Sequence, residues 1–239
     1  RLGSGASTEV GTIPAQMGDA LPIVDLGAGR TALAVSAGQD HTCVLRDTGD
    51  VVCFGANGFG QLGQGSTDSW GFDPSHVGAG LVPVPLGTGR TAVAISTQAN
   101  TTCAQLDNGT AKCWGSNLGA GPLGQLRTDS DHAGDAPGEL GDALPPIAVG
   151  GNGTIQFITT GNGSTCAVVA SGDVKCWGDG DLGLNGQGNT LDWGVNGAMG
   201  DFLPVIDFGG AVPPTTTTLP GSSTTCLLYT SPSPRDKSS

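Results

Sequence analysis

His41-Thr-Cys-Val-Leu-Arg-Asp-Thr-Gly-Asp-Val-Val-Cys-Phe-Gly55 returns as Thr101-Thr-Cys-Ala-Gln-Leu-Asp-Asn-Gly-Thr-Ala-Lys-Cys-Trp-Gly115. It returns again as Ser164-Thr-Cys-Ala-Val-Val-Ala-Ser-Gly-Asp-Val-Lys-Cys-Trp-Gly178. Each copy places two apolar, β-branched runs around a loop that ends in glycine: Gly49, Gly109 and Gly172. A three-residue hairpin loop needs glycine at its left-handed third position, so each copy predicts a β-hairpin. Counting outward from the loop sets Cys43 opposite Cys53, Cys103 opposite Cys113 and Cys166 opposite Cys176. If 46 and 50 close the first hairpin, 43 and 53 form a non-hydrogen-bonded pair, whose Cα atoms lie about 4.5 Å apart, within disulfide range. Buried free thiols are the other reading of these pairs. The face-to-face placement in all three copies favours disulfides. Structural zinc sites use shorter Cys-x2–4-Cys pairs, so zinc is not expected.

The likeness extends outward. Gly29-Arg-Thr-Ala-Leu-Ala-Val35 returns as Gly89-Arg-Thr-Ala-Val-Ala-Ile95. Met17-Gly-Asp-Ala-Leu-Pro22 returns as Leu140-Gly-Asp-Ala-Leu-Pro145 and Met199-Gly-Asp-Phe-Leu-Pro204. Three copies of one unit are present and a fourth begins near residue 203. In the first, strands are expected at about 22–26, 32–36, 41–46 and 50–55. A recurring four-stranded unit of this size reads as a propeller blade, whose faces are buried only by its neighbours. The expected fold is all-β: β-propeller blades of four antiparallel strands.

Composition agrees. Glycine supplies 43 of the 239 residues, while charged residues are 13% and aromatics 5%, which excludes a helical bundle. The net charge of −12 disfavours nucleic acid as a partner, because phosphate binding rests on basic side chains. No apolar run is long enough for a transmembrane helix.

Thr-Cys-x5-Gly-x3-Cys-Trp-Gly followed by a Gly-Gln-Leu-Gly connector, best seen in Cys53-Phe-Gly-Ala-Asn-Gly-Phe-Gly-Gln-Leu-Gly63, resembles the regulator-of-chromosome-condensation repeat. The resemblance covers roughly residues 17–209. The paired cysteines and the Gly-Asp-x-Leu-Pro connector are similar to secreted bacterial members. The resemblance implies a seven-bladed propeller, of which this chain holds about three blades. Seven units would need on the order of 400 residues.

Residues 1–21 therefore read as the end of a truncated preceding repeat, and 22–210 as three repeats plus the first strand of a fourth. Residues 211–225, rich in Thr and Pro, read as an extended linker. Residues 226–239 stand apart. Cys226-Leu-Leu-Tyr-Thr-Ser-Pro-Ser-Pro-Arg-Asp236 resembles the translation of a transposon-type sequencing-library adapter, and the tail is expected to be read-through. It holds the seventh cysteine. Without the tail's Arg235, Lys237 and Asp236 the charge becomes −13.

Several motifs are weighed as structure rather than chemistry. Gly58-x-Gly60-x-x-Gly63, Gly119-x-Gly121-x-x-Gly124 and Gly178-x-Gly180-x-x-Gly183 match a dinucleotide fingerprint, but loop rather than helix follows each, so a structural turn is expected. The acids Asp129, Asp131, Asp135, Glu139 and Asp142, with Asp179 and Asp181, complete no calcium-binding pattern and read as solvated turn acids. The sequons at Asn100, Asn108, Asn152 and Asn162 reflect turns rich in Asn, Gly and Thr. Phe54, Trp114 and Trp177 share one repeat position and are expected between blades. Trp70 and Trp193, in the connectors, are the candidates for partner contact. The histidines His41, His76 and His132 fall at unrelated repeat positions, and no nucleophile motif appears.

The expectation is a non-catalytic scaffold without a cofactor. It would be extracellular, on a cell surface or in the periplasm, and would meet a protein or glycan. Two rivals follow from the resemblance: a guanine-nucleotide-exchange regulator of a small GTPase, and a secreted enzyme inhibitor.

Overall fold

Gly49, Gly109 and Gly172 have φ of +78°, +78° and +89°, and each closes a tight hairpin. Arg46 N–H donates to Asp50 O, Leu106 N–H to Thr110 O and Val169 N–H to Asp173 O, so the closing pairs are those the loop chemistry dictates. The loop tips share a device with the partners exchanged. Thr48 Oγ1 donates to Asp50, Thr110 Oγ1 to Asn108, and Ser171 Oγ to Asp173.

These hairpins organise a computed structural model that describes residues 3–6, 10–118, 121–125, 131–194 and 199–208. Three antiparallel sheets follow one another. The first holds β1 (Ala32–Ala37), β2 (His41–Arg46) and β3 (Val51–Gly55). The second holds β4 (Ala92–Gln98), β5 (Thr101–Leu106) and β6 (Ala111–Gly115), and the third β7 (Ile155–Thr160), β8 (Ser164–Val169) and β9 (Val174–Gly178). Each first strand carries a register shift at the same place: Ala32/Ala34, Ala92/Ala94 and Ile155/Phe157. Among the described residues the remaining regular elements are 3-10 turns, such as Pro74–His76, Gly78–Gly80 and Gly141–Ala143.

Each sheet has three strands rather than the four expected. The fourth segment reaches its sheet through one backbone bond: Val84 N–H to Val51 O, Ile147 N–H to Ala111 O and Ile206 N–H to Val174 O. Pro145 and Pro204, two residues ahead of the donors Ile147 and Ile206, have no N–H with which to extend the ladder, and Pro83 and Pro85 flank Val84. This segment follows its sheet in the chain, after the connector. Residues 22–26 hold the matching repeat position ahead of β1, not a strand of the first sheet.

The core lies between the sheets. One cluster runs from Leu45 and Cys53 through Leu62, Trp114 and Leu123 to Trp177 and Leu203, and a smaller one joins Val44, Val52, Phe54 and Leu81. The leucine of the Gly-Asp-x-Leu-Pro connector is buried each time it seats on a described sheet: Leu144 and Leu203. Leu81 does the same from Val77-Gly78-Ala79-Gly80-Leu81-Val82, a copy whose motif has drifted beyond ready recognition.

Candidate functional site

Cys43 and Cys53 are register partners, as are Cys103 and Cys113, and Cys166 and Cys176. Each pair is joined by a disulfide with its Cα atoms 4.1 Å apart. Closing so short a loop removes unfolded-chain entropy worth about 2–3 kcal/mol per bridge. Cys43 Sγ lies 3.8 Å from Thr102 Oγ1 of the second sheet, so the first bridge borders a seam, the interface where one sheet meets the next.

Both seams follow one plan. Trp114 Nε1–H donates to Gln61 O at 3.1 Å, and Thr102 Oγ1–H to the same oxygen at 3.0 Å. At the second seam Trp177 Nε1–H and Thr165 Oγ1–H both donate to Pro122 O, at 3.0 and 2.8 Å. The two indoles are wholly buried. The glycine-rich motif explains itself here. A Cβ on Gly63 would come within 2.8 Å of the Trp114 indole nitrogen, and one on Gly124 within 2.5 Å of that of Trp177. These glycines admit a tryptophan of the next sheet, not a phosphate. Along the first strands Thr97 Oγ1 donates to Ser36 Oγ, and Ser96 Oγ and Thr160 Oγ1 are 3.0 Å apart.

The connector acids accept backbone hydrogen bonds, some from distant loops and some within their own turns. Asp142 accepts from Thr88 N–H, and Asp201 from Gly151 N–H. Glu139 accepts from Gly134 and Ala136 N–H, and Asp179 from Asp181 N–H. The Thr88 hydroxyl, and then the Thr88 N–H, donate to the Asp142 carboxyl and hold it below the ordinary carboxylate range. Lys112 and Lys175, at one repeat position, turn inward to Gly141 O and Val149 O at 2.7 Å. Burial lowers the Lys112 pKa, with Asp142 opposing. Asp129 lies outside the described residues, as do the linker at 211–225 and the tail.

Trp70 and Trp193 occupy one repeat position. The backbone of Trp70 pairs with Gly55, that of Ala133 with Gly115, and that of Trp193 with Gly178. Both indoles are half-buried against the core. Trp70 also stacks on His76, with ring centroids 3.9 Å apart and planes 16° apart, and Phe72 meets the same imidazole edge-on. Phe72 is 50% exposed and is the outer face of this group. Sequence reasoning missed it. A Trp-Gly-Phe run whose tryptophan has a repeat counterpart was the available signal. Phe54, like the two tryptophans at its position, is buried.

His41 is the histidine the repeat does not account for. Thr101 and Ser164 stand in its place in the other copies. It is 2% exposed, and its Nε2 lies 2.8 Å from Thr102 Oγ1 across the first seam.

Residues 33–61 match the family model of the Regulator of chromosome condensation (RCC1) repeat. Among solved structures the chain resembles human WBSCR16, at 22% identity and a TM-score of 0.52 over 73% of this chain and 37% of that one. It also resembles Prp20p from Saccharomyces cerevisiae, described with its binding to Gsp1p and histones. That match has 18% identity and a TM-score of 0.54, over 74% of this chain and 38% of that one. A second structure of the yeast protein, with Kap60 bound, matches at 16% identity and a TM-score of 0.52, over 69% and 36%. The chain thus spans under two-fifths of the length of these relatives. The repeat at 33–61 is of the RCC1 type, and the fold is that of RCC1 propellers.

Proposed function

We propose that these RCC1-type repeats are part of a non-catalytic propeller scaffold, secreted or displayed at a cell surface, that binds a protein or glycan through its connectors. One contrast carries the reading. Hairpins, disulfides and seams repeat with little change, while the connectors that leave Gly55, Gly115 and Gly178 differ in sequence and in what they expose. A rigid frame carrying variable loops is the usual arrangement of a binding surface. The three cross-strand disulfides favour an oxidising compartment. Among the described residues no helix is long and apolar enough to cross a membrane.

Phe72, with Trp70 and His76 behind it, is the strongest contact candidate, and Trp193 holds the place of Trp70 in the third copy. Immobilised oxidised chain should retain an extracellular protein or glycan, and Phe72→Ala should weaken that retention. Retention equal in both would remove Phe72 from the contact. The association of a structural relative with Gsp1p supports a second reading, as an exchange regulator. Stimulated nucleotide release from a small GTPase would favour it. Inhibition of a secreted hydrolase would favour the inhibitor reading.

A further inference from the structure

Thr102 Oγ1 has one hydrogen, and it is directed to Gln61 O, which can only accept. His41 Nε2 must therefore be the donor in its 2.8 Å bond to Thr102 Oγ1. A neutral imidazole with hydrogen on Nε2 carries a lone pair on Nδ1. That atom is buried with no partner. It faces the Gly38 backbone so closely that a Cβ on Gly38 would lie 2.5 Å away. A second proton on the ring would have to sit on Nδ1, for which the described residues provide no hydrogen-bond partner.

We propose that His41 makes the seam between the first and second sheets an acid-labile joint, which opens when the imidazole is protonated while the seam between the second and third sheets stays closed. The same interface carries Gln39 N–H bound to Ala99 O and Thr97 N–H bound to Ser36 Oγ, so parting at His41 frees amides that report the opening. At the second seam Thr165 repeats the role of Thr102, but the residue in the place of His41 is Thr101, whose hydroxyl donates to Ser116 O within its own sheet. Nothing there takes a proton.

The groups around the ring fix the sign. Burial lowers the imidazole pKa from 6.5 to about 4, and Asp40 beside it acts in the opposite, weaker sense. Thr102 and Ala99 from the second sheet, and Gly38 and Cys43 from the first, bring no charge. Above pH 6.5 the closed and open forms are both neutral and the joint is at full strength. Between pH 6.5 and about 4 the open form binds the proton more readily than the closed form, so acidification favours opening, by at most about tenfold per unit. Below about pH 4 the closed form is protonated as well and the effect levels off.

Hydrogen exchange read by mass spectrometry on the full oxidised chain, corrected for the intrinsic pH dependence of exchange, tests this. Peptides spanning 36–43 and 97–103 should lose protection about sevenfold between pH 6 and pH 5, peptides spanning 158–166 should not, and His41→Thr should abolish the difference. Equal loss at both seams, or the same loss in His41→Thr, would overturn the proposal. NMR titration of the wild-type imidazole gives a check that needs no variant. A midpoint near 4 with hydrogen on Nε2 supports the joint, and a midpoint near 6.5 or hydrogen on Nδ1 contradicts it.

Discussion

At the first seam Gln61 O receives Trp114 and Thr102; at the second Pro122 O receives Trp177 and Thr165. Donor types, distances and the admitting glycine correspond, although glutamine and proline differ in nearly every property. The shared element is a backbone carbonyl, which any residue supplies. The seam is therefore specified by the side chains that reach across it, and its acceptor side is free to drift. The seams differ where His41 adds a second partner to Thr102. That addition makes one joint dependent on pH and more dependent on its hydroxyl than the other.

Removing a tryptophan should do the greatest damage and should not distinguish the seams. Trp114→Ala and Trp177→Ala each empty a fully buried site, at a cost of about 3–5 kcal/mol in denaturant unfolding. A large inequality between them would break the correspondence. The disulfides should rank next. Cys103→Ala with Cys113→Ala should lower stability by about 2–3 kcal/mol, and so should the matching change in either neighbouring hairpin, because the three closed loops are equal in length.

The threonines should separate the seams. Thr165→Val leaves Pro122 O still served by Trp177, so its cost should be about 1 kcal/mol. Thr102→Val also strands the buried N–H of His41, adding about 1–3 kcal/mol at neutral pH. Equal costs would show that the His41 bond contributes nothing. The smallest effect belongs to the surface. Arg90 pairs with Asp107 at 3.5 Å and Arg30 with Asp47 at 3.9 Å, both partly exposed, while the third copy has Gly153 and Ala170 at these positions. Arg90→Ala should cost under about 1 kcal/mol, in keeping with a repeat that manages without the pair.

The hairpins were legible because their information is local. Loop length, the left-handed glycine and the alternation of faces together set the register that meets at the cysteines. The phase of the unit was not legible. The fourth segment holds its sheet by one hydrogen bond beside prolines, and so few contacts leave no strand pattern in residues 82–86 or 145–149. Trp70 and Trp193 each lie 17 residues after the second cysteine of their hairpin and each precedes a glycine, a correspondence that only the longer spacing to Ala133 in the second connector obscures. The role of His41 depends on Thr102, 61 residues away, across an interface that no local period records. The glycine triplets were legible as turns, but the reason for Gly63 and Gly124, room for a neighbour's indole, belongs to the packed structure.

Three like units, each closed by its own cross-strand disulfide, are the foundation on which the seams and the scaffold reading rest. Peptide mapping of the unreduced protein, alkylated while unfolded, tests this most directly. Linked peptides should join Cys43 to Cys53, Cys103 to Cys113 and Cys166 to Cys176, with no alkylation at these positions. Alkylation of these six cysteines, or links that cross from one hairpin to another, would contradict the account.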